Sequence, residues 1–372
     1  MNKDLYGTKL YINSAFLANN INYIKRNYIN MDIIAMIKAN AYGHGDVEIA
    51  KIIQKLGVTC FGVADFEEGV RLRNHGINSN IIVMNPSENN LEVILENNLE
   101  PVIYNHSMLL KLIALLKKNH KINIKDHVRI HVKINTGMNR WGFDYEDINE
   151  LIVKLKKIIL KYNVSIGSFY SHLASSKLAK DDNFTKKQIS YLQNYIARFS
   201  KEFSCKFDSH IANSTALLRG FNSKNFNSLR VGLLLYGGIK HEHITPIAEL
   251  KCPISQIRTV GKSESIGYNR SYITKGDLKI GVVPFGYADG LQRSWGNGVL
   301  KFYFKNKFIP TVGDISMDSC IVDLSSLDEV DIGDEICYFG KDRPIWDLAK
   351  ELNTIPYEIT SILSRRIKRI YK

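Results

Sequence analysis

Short apolar runs alternate with longer amphipathic stretches from residue 30 to about residue 236, and this alternation constrains the fold most strongly. The runs are rich in β-branched residues, as in strands buried on both faces of a parallel sheet. The eight predicted strands are Ile33–Ile37, Val58–Val63, Ile81–Met84, Pro101–Tyr104, Val128–Ile134, Val164–Tyr170, Phe207–Ile211 and Leu229–Leu235. The predicted helices between them include Val47–Leu56, Phe66–Asn74, Leu91–Glu96, Ser107–Lys118, Glu150–Lys161 and Asn183–Phe203. This pattern predicts an N-terminal (β/α)8 barrel of the TIM type, with a doubly wound open sheet as the alternative.

The pattern changes after Gly237-Gly238, where short apolar segments are separated by Gly, Asp and Asn turns. Such spacing predicts a mainly antiparallel β domain closed by two short helices. The predicted strands are Ile254–Val260, Lys279–Val283, Leu300–Phe304, Phe308–Val312, Cys320–Asp323 and Glu335–Phe339, and the helices Ile345–Leu352 and Tyr357–Ser364. We therefore expect an α/β plus β protein, with a barrel over residues 1–240 and a β-rich domain over residues 241–372.

Several classes of protein are disfavoured by composition. No apolar run is long enough to span a bilayer, and the first residues, Met1–Asp4, lack the apolar core of a signal peptide, so a cytoplasmic location is expected. The five cysteines are scattered and form no Cys-x-x-Cys pair, which argues against disulfides and a zinc site. The net charge of +13 comes from dispersed lysines without interleaved stacking aromatics, so neither nucleic acid nor a membrane is an expected partner.

Lys38 is the first candidate reactive residue, because it immediately follows the first predicted strand. In barrels of this type the chemistry lies at the carboxyl ends of the strands. The small residues Ala39, Ala41 and Gly43 leave room for a ligand, and Tyr42 offers a hydroxyl group. Judged by its position alone, Lys38 could equally be a solvated lysine at the end of a strand.

Lys133 and Arg140 lie at and after the end of the fifth predicted strand. Lys133 alternates with apolar neighbours and is expected to point into the barrel, where an ammonium group must find a partner, lose its charge or be modified. A guanidinium group on the following loop suits a carboxylate ligand. A structural ion pair for Lys133 and a surface position for Arg140 are the alternatives.

Two histidines follow neighbouring strands, His172 after the sixth and His210 at the seventh. Either alone would be read as a satisfied core residue, but two at corresponding strand ends indicate a site. Asn213 and Ser214 can cap the next helix, whose N-terminal N–H groups favour a phosphate. The eighth unit supplies Arg230 and Gly232; the glycine allows close approach of the backbone.

Taken together, these segments resemble the alanine racemase family of fold-type III pyridoxal-phosphate enzymes over essentially the whole chain. The matching motifs, in order, are Met36–Gly45, Lys133–Arg140, His172, His210–Ser214, Arg230–Gly232, Tyr268, Gly286–Gly290, Ser316–Asp318 and Pro356–Glu358.

The resemblance implies a pyridoxal 5'-phosphate enzyme with two catalytic bases. Lys38 would hold the cofactor covalently and act as one base, and Tyr268 would be the other base on the opposite face. Racemisation needs this arrangement, because one group removes the α-proton and another returns it from the other side. Arg230 would face the pyridine nitrogen with His210 behind it, and His172 would connect Arg230 with Tyr268.

The resemblance also implies roles for the remaining site residues. Arg140 and the backbone of Met317 would hold the substrate carboxylate, and a carbamate on Lys133 would orient Arg140. The residues around the cofactor phosphate would be Tyr42, Asn213, Ser214, Gly232, Leu233 and Tyr357, with Tyr287 and Asp318 in supporting positions.

Tyr268, Met317 and Tyr357 reach the pocket of the other subunit in this family, which implies a homodimer. Tyr357 favours alanine as substrate, and supply of D-alanine for peptidoglycan is the implied role. The departures from the common pattern are Asn269, which follows Tyr268 where glycine is common and bears on the position of that tyrosine, and Asn135 and Asp314, which alter charge near the pocket and affect the substrate assignment rather than the chemistry. The alternatives are a serine or broad-specificity racemase, a related decarboxylase and a non-catalytic cofactor-binding protein.

Overall fold

The computed structural model describes residues 7–118, 127–221 and 226–372, so the segment Met1–Asp4 lies outside the described residues. The strands in chain order are β1 Lys9–Ile12, β2 Asp32–Met36, β3 Cys60–Val63, β4 Asn80–Val83, β5 Glu100–Ile103, β6 Val128–Lys133, β7 Val164–Tyr170, β8 Asp208–His210, β9 Ser228–Val231, β10 Ala248–Pro253, β11 Gln256–Val260, β12 Ser265–Ile266, β13 Tyr272–Ile273, β14 Leu278–Val283, β15 Lys301–Phe304, β16 Lys307–Pro310, β17 Cys320–Asp323, β18 Glu335–Phe339 and β19 Lys368–Tyr371.

The helices differ in length and in how they begin. In chain order they are α1 Ser14–Asn27, α2 Lys38–Tyr42, α3 Asp46–Lys55, α4 Phe66–Asn74, α5 Leu91–Glu96, α6 His106–Lys117, α7 Ile148–Lys161, α8 Asp182–Glu202, α9 Ser214–Leu218, α10 Leu233–Tyr236, α11 Ile345–Glu351 and α12 Pro356–Ser361. Asp65 begins α4 by accepting a hydrogen bond from the Glu68 N–H, and Asn105 begins α6 in the same way. Among the described helices, none is both long and apolar enough to cross a membrane.

The eight strands β2 to β9 form one parallel sheet in the order β8-β7-β6-β5-β4-β3-β2-β9. Two backbone hydrogen bonds join its outer strands, from Asn227 N–H to Ser209 O (3.1 Å) and from Arg230 N–H to Ala212 O (3.3 Å). The sheet is therefore a nearly closed barrel, and the prediction of a TIM-type fold is confirmed. The helix α7 is typical of the surrounding layer, since the residues it buries recur at helical spacing.

The last predicted barrel strand, Leu229–Leu235, was wrong in its second half. The strand β9 ends at Val231, and α10 begins at Leu233. The Oγ atom of Ser214 accepts hydrogen bonds from the Gly232 N–H (3.2 Å) and the Leu234 N–H (3.3 Å), which satisfies backbone groups that a continued strand would have to pair. An uninterrupted apolar run gives no sign of this change, because buried strands and buried helices look alike in such a run.

The remaining strands form a six-stranded sheet of order β16-β15-β18-β10-β1-β19, a three-stranded sheet β11-β14-β17 and the pair β12-β13. Their pairings are antiparallel except for β1 with β19. The prediction of a mainly antiparallel second domain is confirmed.

The described chain forms two compact units that do not coincide with a single cut in the sequence. One contains residues 7–20, 42–45 and Tyr236–Lys372, and the other Ile21–Ala41 and Asp46–Leu235. The predicted division near residue 240 assigns β1 to the barrel domain. In the structure β1 instead belongs to the C-terminal unit, because it pairs with β10 and β19. The short segment 42–45 also belongs there: the carbonyl oxygen of Gly43 accepts hydrogen bonds from Arg369, and a Cβ atom on Gly43 would lie 1.8 Å from the Thr360 oxygen.

Candidate active site

Lys38 lies two residues after the end of β2 and begins a turn of left-handed helix. The φ angles of Ala39, Asn40 and Ala41 are 51°, 55° and 53°, a conformation that costs about 1–2 kcal/mol per residue for L-amino acids. Glu68 stabilises the turn, because its carboxylate accepts hydrogen bonds from the Ala39 N–H (2.6 Å) and the Ala64 N–H (2.7 Å). Backbone strain of this kind is concentrated at functional sites.

The environment of Lys38 favours its uncharged form. Burial lowers the pKa of the Lys38 amine, and the nearby charges of Arg140 and Arg230 lower it further, while Glu68 opposes them. An amine whose pKa is lowered in this way is a better nucleophile and a better proton acceptor near neutral pH. Glu68 was missed by the sequence reasoning; its only signal is its place in the first turn of a capped helix.

Lys133 ends β6 with its side chain buried in the barrel. Its Nζ atom lies 5.1 Å from the centre of the Trp141 ring and 5.8 Å from that of Tyr170. Burial and the charges of Arg230, Arg140 and Lys38 lower the pKa of Lys133 to about 7, and no carboxylate among the described residues opposes them. The structural ion pair considered for Lys133 is therefore not found, and the amine is available for modification.

Arg140 lies on the loop after β6, with its guanidinium carbon 5.0 Å from the centre of the Trp141 ring. Stacking on an aromatic face restricts a guanidinium group without using up its N–H donors. The charge of Arg140 lowers the pKa of both Lys38 and Lys133, so these three cationic side chains lie in one neighbourhood.

Arg230 is buried within the barrel and donates to four acceptors. Its Nη1 group donates to Nδ1 of His210, and its Nη2 group donates to Nδ1 of His172 (2.9 Å), the Ser171 carbonyl oxygen (2.7 Å) and the Ile211 carbonyl oxygen (3.2 Å). The structure thus brings both predicted histidines to Arg230. Burial lowers the pKa of Arg230 to about 10.

The two histidines beside Arg230 are uncharged. Burial and the Arg230 charge hold the pKa of His172 and of His210 well below the usual range. Because a guanidinium group only donates, each Nδ1 atom that faces Arg230 is an acceptor, and the ring proton lies on Nε2. Arg230 therefore keeps its charge while its neighbours stay neutral.

The residues predicted at a phosphate lie where two short helices begin. The Asn213 side chain caps α9 by accepting from the Ala216 N–H (3.0 Å), and Ser214 follows it. Through its Oγ atom Ser214 also holds the start of α10, where Gly232 and Leu233 lie.

The other predicted site residues belong to the C-terminal unit, and several large side chains there are exposed to solvent. Tyr268 is 68% exposed, Met317 54%, Tyr287 41% and Tyr357 38%. Tyr42 is in this unit too, with its ring 5.1 Å from that of Tyr236, and burial raises the pKa of its hydroxyl to about 12.

Asp318 is paired within the C-terminal unit, where it accepts a hydrogen bond from Arg366 (2.7 Å). The three departures from the family pattern are also accommodated locally. Asn269 takes a positive φ of 58°, Asp314 pairs with Arg293 at 2.6 Å, and the Asn135 amide donates to Asn139 and Asp144.

The barrel residues fit an anionic ligand that carries a phosphate and an aldehyde. Lys38, Lys133, Arg140 and Arg230 form a cationic group, and the pKa shifts of the two lysines show that their charges are not balanced. The hydroxyl of Tyr170 is buried without a hydrogen-bond partner. Lys38 supplies the amine that an aldehyde requires. Among the described residues, no cluster of His, Cys, Asp and Glu could hold a metal ion.

Comparison with known proteins identifies relatives along nearly the whole chain. The family models for the N-terminal and the C-terminal domain of alanine racemase match residues 12–240 and 247–371. The chain is 32% identical to the alanine racemase of Clostridium tetani over 95% of its own length and 92% of that protein.

Solved structures of similar fold were found as well. The alanine racemase of Bacillus anthracis with bound L-Ala-P has a TM-score of 0.89 at 27% identity, covering 100% of this chain and 96% of that one. The alanine racemase of Bartonella henselae with covalently bound pyridoxal phosphate has a TM-score of 0.84 at 26% identity, covering 99% and 100%.

Proposed function

The chain belongs to the alanine racemase family, and on this basis we propose that it interconverts L-alanine and D-alanine with pyridoxal 5'-phosphate as cofactor. The observation that carries the proposal is the lysine of lowered pKa at the end of β2, beside a buried Arg230 that is held by two neutral histidines. A related decarboxylase would be expected to place a carboxylate where Arg230 lies. Supply of D-alanine for peptidoglycan is part of the proposal.

Two groups of the chain would move the α-proton. We assign Lys38 as one base, because its amine is partly buried and its pKa is lowered. Tyr268 would be the other, working on the opposite face of the substrate, so that a proton removed on one side is replaced on the other. Pyridoxal phosphate, when bound, supplies a conjugated ring that stabilises the negative charge left on the α-carbon.

The other site residues would bind and orient the reactants. Arg140 and the backbone of Met317 would hold the substrate carboxylate, and Arg230 would face the pyridine nitrogen with a fixed positive charge. The proposed phosphate ligands are Tyr42, Asn213, Ser214, Gly232, Leu233 and Tyr357. Tyr287 and Asp318 would support the C-terminal part of the site.

We propose that the active form is a homodimer with shared active sites. The exposure of Tyr268, Met317 and Tyr357 supports this, because large side chains with catalytic or binding roles are not expected to face solvent in the working enzyme. Each barrel would then receive its second base from the partner subunit. A cyclic two-fold arrangement would make both sites equivalent.

Alanine is proposed as the preferred substrate, because the tyrosine at position 357 narrows the pocket in this family. Incubating L-alanine with the holoenzyme in deuterium oxide tests the function directly. We expect formation of D-alanine that carries deuterium at the α-carbon. Chiral chromatography and mass spectrometry measure the two properties. Release of carbon dioxide, no exchange at all, or faster racemisation of serine, lysine or arginine would contradict the proposal.

The lowered pKa of Lys133 predicts a carbamate on this residue. An uncharged amine adds to carbon dioxide, forms an N–C bond and releases one proton, which converts the buried cation into an anion able to orient Arg140. Because the pKa is lowered from 10.5 to about 7, the uncharged amine predominates above about pH 7 and is lost below it. With ¹³C-labelled bicarbonate, we expect a carbamate NMR signal at about pH 8 that disappears on acidification.

The matched control for the carbamate is Lys133→Arg, which keeps a long cationic side chain but is not expected to form it. A signal that persists in this variant would come from another amine. Failure of the unsubstituted protein to show the signal at about pH 8 would contradict the assignment.

A further inference from the structure

A chain of buried polar side chains continues inward from Arg230 to the opposite end of the barrel. His210 contacts Ser168 (Nε2 to Oγ, 3.1 Å), Ser168 contacts His131 (Oγ to Nδ1, 2.7 Å), and His131 contacts Glu100 (Nε2 to Oε2, 2.7 Å). We call Glu100, His131, Ser168 and His210 the Glu100 relay. Each of its members is at most 9% exposed. Barrel interiors are usually filled by branched apolar side chains, so four linked polar groups require an explanation.

The relay runs from one mouth of the barrel to the other. Arg230 and His210 lie near the carboxyl ends of β9 and β8, whereas Glu100 is the first residue of β5. Arg129 closes the far end, with 3.6 Å between its guanidinium group and Glu100 and 3.2 Å to Asp208. Glu100 is therefore held by a cation at the mouth opposite Lys38.

The directions of the hydrogen bonds follow from the proton inventory of the side chains. Arg230 can only donate, so Nδ1 of His210 accepts and the neutral ring carries its proton on Nε2. This Nε2–H donates to Ser168, and a neutral His131 would accept the hydroxyl hydrogen of Ser168 at Nδ1.

The last bond of the relay ends on a negative charge. A neutral His131 that accepts from Ser168 at Nδ1 would carry its proton on Nε2 and donate it to Glu100. Burial raises the pKa of Glu100, but its hydrogen-bond and electrostatic interactions with His131 and the charges of Arg129 and Arg73 lower it further than burial raises it. With a neutral His131, all four bonds point from the guanidinium cation toward an ionised carboxylate.

The backbone is shaped to hold the middle of the relay. The pairing of β6 with β7 shifts register between Ile130 and His131, so that Ile130 pairs with Ile166 but His131 pairs with Ser168. The extra residue is Gly167. A Cβ atom there would lie 2.7 Å from Cε1 of His131 and 2.8 Å from Nε of Arg129, distances that real Cβ atoms essentially never show. The irregularity thus makes room for the His131 ring.

We propose that Glu100, His131 and Ser168 are positioning residues for racemisation, and that they act through His210 by holding Arg230 in place and supplying its counter-charge. Among the described residues no carboxylate pairs directly with Arg230, whose guanidinium carbon lies 5.0 Å from the centre of the Tyr170 ring. A row of aligned hydrogen bonds polarises each member in turn and brings part of the distant carboxylate charge to the guanidinium group. The inference rests on the proposed role of Arg230 in the reaction.

One test reads the protons directly and does not depend on activity. In protein labelled with ¹⁵N-histidine, both with and without cofactor, we expect His210 and His131 to be neutral with the proton on Nε2. The signals can be assigned with the variants His210→Gln and His131→Gln. A proton on Nδ1 of either ring, or a charged His131, would overturn the assigned direction, and this result would stand even if the protein did not racemise alanine.

A second test uses the coupling between Ser168, in the middle of the relay, and Glu100, at its far end. We expect Ser168→Ala and Glu100→Gln each to lower kcat by about tenfold at unchanged KM, since Arg230 does not hold the substrate. The double variant should lose no more than either single variant, because both substitutions cut one chain. Independent losses that multiply to about a hundredfold would overturn the proposal.

The matched control is Ser165→Ala on the same strand, where the serine is half-buried and takes no part in the relay. Its kcat should equal that of the unsubstituted protein. If Ser168→Ala behaved like this control, the relay would have no part in catalysis. Thermal unfolding of each variant shows whether a loss of activity reflects a loss of fold.

Discussion

Replacing Lys38 with alanine is expected to lower kcat for racemisation by at least about 10⁴-fold, the upper end of what a general acid–base group contributes. The variant loses the amine of lowered pKa at the end of β2 as well as the proposed covalent attachment of the cofactor. The measurement is chiral chromatography in both directions. Lys38→Arg is the control for charge, because an arginine stays protonated and should be as inactive as the alanine variant.

The proposed second base gives an outcome of a different kind. Tyr268→Phe should also stop racemisation, with a loss of about 10²–10⁴-fold, but it keeps Lys38. Exchange of the α-proton with deuterium oxide should therefore continue for one enantiomer and stop for the other. If exchange continued equally for both enantiomers, Tyr268 would not be a base.

Mixing the two inactive variants tests whether the sites are shared. In a dimer of one Lys38→Ala and one Tyr268→Phe subunit, one site has both substitutions and the other has none. Random reassociation makes about half of the dimers mixed, so about a quarter of the original activity should return. If Lys38 and Tyr268 of one chain formed each site, no activity would return on mixing.

Replacing Arg230 with glutamine is expected to give the second large effect, a loss of about 10²–10³-fold in kcat, as found when a preorganised donor is removed from an active site. Four acceptors lose a donor, namely Nδ1 of His210, Nδ1 of His172 and the carbonyl oxygens of Ser171 and Ile211. The fixed positive charge is lost as well. Side reactions in which the amino group of alanine passes to the cofactor and pyruvate is released should therefore become more frequent. A coupled pyruvate assay measures them, with at most one pyruvate expected per bound cofactor.

The control for charge at this position is Arg230→Lys. Its ammonium group has three donors for four acceptors, so racemisation should slow, yet the retained charge should keep pyruvate formation low. Equal pyruvate formation in the two variants would show that the charge of Arg230 does not direct the reaction. Circular dichroism and thermal unfolding of both variants must show a folded protein, because the position is buried.

Much of the fold was predictable because local patterns repeat. The helices α4 and α5 begin and end at the predicted residues, and β7, β17 and β18 match as well. In each of these segments the hydrophobic period, the length and the flanking turn residues all indicate the same type of element. The strand β1 was not predicted, since its pairing with β10 and β19 depends on residues more than 200 positions away.

The site was predictable in its reactive groups but not in their support. Lys38, Lys133, Arg140, His172, His210 and Arg230 lie at strand ends, where barrel topology indicates chemistry. Glu68 and the Glu100 relay were missed, because a carboxylate in a helix and polar residues within strands carry no local signal. Their importance follows only from partners that folding brings to them.

The sequence by itself determined the eight-fold alternation of strand and helix, and with it the edge of the barrel at which Lys38 lies. A parallel strand has one carboxyl end, and the residue that follows it needs no tertiary information to be located. Only the tertiary structure decided which charges surround Lys38, that Lys133 has no carboxylate partner among the described residues, and that Arg230 is linked to Glu100 through three side chains. These properties depend on distance and burial, and residues far apart in the chain create both.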